Sequence, residues 1–274
     1  MGVLGHRADF SAVMPKLLVA CVVVVILGVG CGRQPVVEAP PPPSAYQPPD
    51  TVRDATMVWS ADSGVDLFSG RAALTRAAYE AHFVSWASRV VPTYPGFERA
   101  LIRKEPSRPE QTARRGKNFG TMQARIQRII GSDADFTAQI CLLNSGLMNR
   151  DGDRYRGSRS TRFSAWEVSV KAIVENPSWP VAVPAPGPDR AHWQAPTYDV
   201  FTGWTVEFHS GEYLTTGDGG RCDSWLASMD STLPADPEKI ESSEAPPVLP
   251  AYPGWPTAVP VKDSAPGTSL STPR

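Results

Sequence analysis

The spacing of apolar residues changes character several times along the chain. Residues 17–27, Leu-Leu-Val-Ala-Cys-Val-Val-Val-Val-Ile-Leu, are apolar without a break. From Arg71 to Val91 the spacing is helical, with Leu74, Ala78, Ala81 and Ser85 on one stripe and Tyr79, Phe83, Trp86 and Val90 on its neighbour. Ser69 stands where an N-cap accepts a free backbone N–H. Pro95 suits a first helical turn and predicts a second, short helix through Phe97, Ala100, Leu101 and Ile102. The period then becomes two. Met122, Ala124, Ile126 and Ile130 alternate with Thr121, Gln123, Arg125 and Gln127, and the pattern resumes at Phe136, Ala138, Ile140 and Leu142. This predicts a hairpin whose loop is the five residues Gly131–Asp135. Helix competes over 121–130, because Gln, Arg and Met are good helix formers. Trp166, Val168, Val170, Ala172 and Val174 predict a third strand, and Trp204, Val206 and Phe208 a fourth.

Helices followed by strands predict an α+β fold, with N-terminal helices packed on a curved antiparallel sheet of about four to five strands. In element order, residues 65–215 resemble the cone-shaped nuclear-transport-factor-2-like and cystatin-like folds, which wrap a curved sheet around opening helices. Proline, used 28 times and unevenly, marks the limits of the domain. Residues 31–51 contain Ala-Pro-Pro-Pro-Pro and read as an extended polyproline tether, able to hold a domain up to roughly 60 Å from its attachment. Residues 52–232 read as a single globular α+β domain. Residues 233–274 hold few large apolar groups and read as a disordered Pro-rich tail, Trp255 being the exception that either packs back or forms a sticky spot.

The apolar run follows Lys16 and is followed by Gly28, Val29, Gly30 and Cys31, the positive, apolar, small-residue order of a secretory signal over residues 1–30. Only 16 uncharged residues separate Lys16 from Arg33, fewer than the ~20 apolar residues a spanning helix needs. Val29-Gly30-Cys31 resembles the lipobox of bacterial lipoproteins, which implies that Cys31 becomes an acylated, palmitate-type N-terminus. The lipobox usually carries Leu three residues before its Cys; here that position is Gly28, with Leu27 one step earlier. Met14-Pro-Lys16 makes a more compact start than Met1. As a whole the chain resembles uncharacterised exported lipoproteins of actinobacteria, and that likeness implies no known activity.

Charge excludes little. The formal net charge is −1, and loss of Arg7, Lys16 and Asp9 with residues 1–30 makes it −2, so the chain carries no global signature of nucleic-acid binding, which usually needs a basic face. Residues 103–117 are the exception: Arg103, Lys104, Arg108, Arg114, Arg115 and Lys117 oppose two carboxylates in a Pro-containing loop, a possible contact for anionic lipid or wall polymer. Once Cys21 and Cys31 are accounted for by the signal and the lipid, Cys141 and Cys222 remain. In an exported domain two such thiols oxidise together, and closing ~80 residues stabilises by roughly 4 kcal/mol in the chain-entropy model. A metal site is the competitor, but neither Cys has a Cys or His at ligand spacing; His209 lies 13 residues before Cys222.

Chemistry is sparse. The chain has no Gly-x-Ser-x-Gly elbow, P-loop or His-Glu-x-x-His. Asn149-Arg-Asp-Gly-Asp153 has its Gly too early for a calcium loop, and Ser160 stands where a closing Glu is needed, so a tight turn is expected. Tyr79 and His82 share a helix face and could line the mouth of a cone, where proton transfer is done by groups with shifted pKa. No catalytic residue, metal or cofactor is assigned. The function expected is a non-enzymatic binding or accessory module, lipid-anchored on the outer face of the plasma membrane, with an envelope protein or lipid as partner and no nucleic acid. The alternatives are a structural wall- or membrane-contacting protein, and a cone-fold enzyme or lipid carrier with a pocket near the first helix.

Overall fold

Strand β2 (Asn118–Gly131) is the spine of the molecule, and its two edges are used differently. The structure, a computed structural model, describes residues 46–88, 93–102, 116–161, 165–182, 191–210 and 220–256, all within one compact unit, 44–274. Along one edge of β2 runs β1 (Ala55–Ala61), parallel, with Met57 opposite Met122 and Trp59 opposite Ala124. Along the other run β3 (Asp135–Leu143) and then β4 (Leu147–Asp151), both antiparallel. Gly120 pairs with both Ala55 and Leu147, and Gln123 with both Val58 and Leu143, so β3 and β4 follow one another along the same edge. The sheet then divides into two wings. β3 carries β6 (Ala165–Ala172) and β7 (Trp204–Ser210); β4 carries β5 (Arg154–Arg159) and β8 (Glu238–Ser242). At the fork Gly120 has φ 99°, and a Cβ there would lie 2.1 Å from the Gly146 carbonyl oxygen, so only glycine fits.

The hairpin predicted around 131–135 is present as β2 and β3, and the strands predicted at 166–174 and 204–208 are present as β6, which ends at Ala172 and leaves Val174 exposed, and β7. Eight strands replace the four to five expected. β1 precedes the helix and was not anticipated, and its parallel pairing requires the crossover that helix α1 (Gly70–Ser88) supplies. α1 is capped as predicted, the Ala72 N–H reaching the Ser69 hydroxyl at 3.3 Å. It is buried on nearly every side, including Arg76 and Glu80, as befits a core helix rather than one lying on a sheet surface. The second helix, α2, is a single turn, Phe97–Ala100, after which Leu101 pairs with Val206.

Two apolar layers sit on opposite faces of β3. Phe136, Ile140 and Leu142 face α1, together with Met122 and Ile126 of β2 and Val168 and Val170 of β6. The alternate residues Cys141 and Leu143 face helix α3 (Gly220–Met229), packing with Cys222, Trp225 and Leu226. A disulfide joins Cys141 to Cys222 with Cα atoms 5.4 Å apart.

The expected tail is corrected in part. Glu238–Ser242 forms β8, pairing with β5 from Tyr155↔Ser242 to Arg159↔Glu238, and Trp255 is 3% exposed. The reason is long-range: Trp255 and its neighbours find partners in distant parts of the domain that composition does not reveal. Residues 257–274, the signal, Cys31 and most of the tether lie outside the described residues. Among the described residues no helix is long and apolar enough to cross a membrane.

Candidate functional site

The densest chemistry in the described residues surrounds Glu80, in the middle of α1. Its Oε1 accepts the Trp59 indole N–H at 2.9 Å. Its Oε2 accepts the Trp255 indole N–H and the Tyr94 hydroxyl, each at 2.7 Å. Arg76, one turn earlier on α1, places Nη2 3.5 Å from Oε1, and both side chains are essentially inaccessible. Helical geometry explains the pair, since residues four apart share a face. The same Nη2 donates to the Pro253 carbonyl at 2.7 Å, and the guanidinium lies over the Trp255 ring, 4.7 Å from its centroid. A second tryptophan layer backs the first: the Trp193 N–H donates to the Tyr94 oxygen at 3.1 Å.

Burial raises the Glu80 carboxyl above its ordinary value and lowers the Arg76 guanidinium; their mutual attraction, and for Glu80 three further donors, oppose both shifts. The donor count favours the ionised pair. Trp59, Trp255, Tyr94 and Arg76 all offer hydrogens to a carboxylate, which only accepts. Tyr94 is pushed well above the usual phenol range by burial and then by the adjacent Glu80 charge. Arg76 Nε and Nη1 are buried and have no hydrogen-bond partner among the described residues. Sealing this much charge inside an apolar layer is costly unless every partner stays in place. Sequence reading missed the cluster because Glu80 looks like an ordinary polar position on an Ala-rich helix, and because Trp255 comes from 175 residues away.

Tyr79 and His82, predicted as a possible pocket pair, are brought together with ring centroids 6.3 Å apart. Their surroundings are aromatic. The His82 ring stacks on Phe208 at 4.5 Å and meets Trp166 at 5.3 Å, and Tyr79 packs edge-on to Trp59. Burial lowers the His82 pKa to about 4, which leaves the ring neutral at physiological pH, and no hydrogen-bond partner for it occurs among the described residues. Burial also raises the Tyr79 phenol. One turn on from His82, Trp86 leaves half of its surface exposed. A surface groove of about 300 Å³ opens elsewhere, beside Tyr94, lined by Thr93, Pro95, Gly96, Glu98 and Arg99.

Of the six predicted surface cations, Arg103, Lys104, Arg108, Arg114 and Arg115 lie outside the described residues. Lys117 is described, 3.9 Å from Asp50. Cys31 also lies outside. Asn149–Asp151 end strand β4 and Gly152-Asp153 forms the tight turn into β5, with Gly152 at φ 65°. No group of three or more metal-ligating side chains gathers among the described residues. Comparison with protein-family models, curated proteins and solved structures returned no match.

Proposed function

We propose that the protein is an exported lipoprotein of the cell envelope, acylated at Cys31, whose domain is a non-enzymatic ligand-binding or accessory module. One observation carries the reading: the titratable side chains in the middle of α1, Arg76, Tyr79, Glu80 and His82, are committed to packing. Glu80 is enclosed by four donors and the ring of Trp255, and His82 is held neutral between Phe208 and Trp166. A general acid or base works best with a pKa near the working pH and within reach of a proton, and His82, at about 4, is displaced from that range. The surface beside it suits binding. Half-exposed Trp86 and half-buried Trp166 and Phe208 offer flat apolar faces, which favour an apolar ligand, a glycolipid or an envelope protein. The tether then serves to hold this surface away from the bilayer.

The test is a tryptophan-fluorescence titration of the mature chain with vesicles of phosphatidylglycerol containing a diacylglycerol glycolipid, and with purified wall polymer. The expected result is saturable quenching with one of the two, weakened roughly tenfold by Trp86→Ala, as for loss of an aromatic anchor. Binding that is unchanged by Trp86→Ala, or turnover of either material, would overturn the reading.

A further inference from the structure

Residues 246–255 rest on the domain as a bound peptide rests on a receptor. The Leu249 carbonyl accepts from the Thr56 hydroxyl, and the Leu249 N–H donates to the Thr121 hydroxyl, both at 2.7 Å. Tyr252 exchanges two backbone hydrogen bonds with the outer edge of β1, its carbonyl accepting from Trp59 N–H and its N–H donating to Met57. Arg76 holds the Pro253 carbonyl and Glu80 holds the Trp255 indole. Four of these six anchors come from side chains of the domain: Thr56, Thr121, Arg76 and Glu80. This combines the two ways in which extended proline-rich segments are recognised, strand addition at a sheet edge and docking among aromatic rings. Phe68 and Tyr94 supply rings, edge-on to Tyr252 and Trp255.

The side chains of the seat are also tied to one another by contacts outside the segment. Trp59, Tyr94 and Arg76 all reach Glu80 from the body of the domain. The sequence also repeats itself here: Tyr94-Pro-Gly-Phe97 and Tyr252-Pro-Gly-Trp255 are the same motif, and the two meet at the same carboxylate oxygen of Glu80. The link from β8 to the segment is the exposed stretch Ser243-Glu244-Ala245, followed by Pro246 and Pro247, which favour an extended course.

We propose that this seat is an interaction surface for a second copy of the same chain, two molecules exchanging residues 246–256 to form a dimer. The occupant is fixed by the seat itself, because the partner's segment offers the same six anchors and the same two rings. Only the exposed link has to change course, which is the usual condition for exchange of an identical element between protomers. The intramolecular arrangement competes with an effective concentration in the millimolar range, so exchange grows with protein concentration. This inference does not depend on lipid anchoring.

The test uses the full mature chain with Cys31→Ala, so that the Cys141–Cys222 disulfide accounts for the remaining native cysteines. Val58 and Tyr252 are bridge partners on β1 and the segment. A chain carrying Val58→Cys is mixed with a second carrying Tyr252→Cys, oxidised, and read by non-reducing gel and intact mass. The expected product is a covalent heterodimer that rises at least roughly tenfold between micromolar and about 1 mM chain and is suppressed by a synthetic peptide of residues 246–256. Background heterodimer at every concentration, with the Val58→Cys/Tyr252→Cys double variant cross-linking inside one chain, would overturn the proposal. Sedimentation equilibrium of the unsubstituted mature chain reads the same point without cross-linking, and a monomer alone at about 1 mM would also overturn it.

Discussion

The two faces of β3 solve the same problem by different means. On the α1 face a large apolar layer encloses a charged pair, and Trp59, Tyr94 and Trp255, from three separate parts of the chain, are gathered on one carboxylate. On the α3 face the buried cluster, among the described residues, is Cys141, Leu143, Cys222, Trp225 and Leu226, and two of them are joined covalently. A large layer can bear the desolvation of an ion pair and gain from it a fixed meeting point for distant segments. On the smaller cluster the disulfide adds covalent closure to the apolar contact that holds the ten-residue helix.

The contrast can be broken most severely at Glu80. Glu80→Gln leaves Arg76 charged and buried opposite a neutral group, and denaturant unfolding is expected to show a loss of up to about 5 kcal/mol. Glu80→Gln combined with Arg76→Met should recover part of it, since the orphaned charge is gone while the Gln carbonyl still accepts a buried hydrogen bond. A Glu80→Gln loss below about 1 kcal/mol would mean that the carboxylate is not the organising point.

Cys141→Ala with Cys222→Ala tests the other face. The expected loss is about 4 kcal/mol, accompanied by faster amide exchange in α3 while α1 stays protected. Equal acceleration in both helices would erase the distinction between the two layers.

His82 sharpens the comparison at lower amplitude. Its folded pKa, about 4, lies below the ordinary value of 6.5, so the unfolded chain binds the proton more readily. Its contribution to stability is therefore complete above pH 6.5 and is lost as the pH falls from there towards 4, by about 3 kcal/mol at most. His82→Phe should flatten that part of the stability–pH curve; parallel curves for the two proteins from pH 7 to 4 would contradict the burial argument. The smallest effect is expected at Lys117, whose contact with Asp50 joins two exposed side chains at 3.9 Å. Lys117→Ala should move stability by less than about 0.5 kcal/mol.

What the sequence revealed follows from how each element is buried. β3, β6 and β7 show their period because each sets regularly spaced large apolar residues towards α1; β2 keeps it through Met122, Ala124 and Ile126, after which a register shift turns Ile129 to the core and leaves the expected Ile130 exposed. β1 hides because Ala55, Thr56 and Met57 are all buried in succession, which leaves no alternation. β4 and β5 hide for the opposite reason: Asn149, Arg150, Asp151, Arg154 and Arg156 belong to half-buried or exposed strands and look like loop. α3 depends on Trp225 and Leu226 and a cystine, too little apolar surface to mark a helix in advance. The aromatic pair Tyr79 and His82 was legible from helical spacing alone. The Glu80 hub was not, because its partners Trp59, Tyr94 and Trp255 are assembled by topology that no local pattern encodes.

That the domain works from the outer face of the membrane is tested most directly by the intact mass of the N-terminal peptide from membrane-recovered protein, wild type beside Cys31→Ala. The account predicts a wild-type chain that begins at an acylated Cys31 and a variant that loses both the acyl mass and the membrane association. Recovery of residues 17–30 on the N-terminus of both proteins would contradict it.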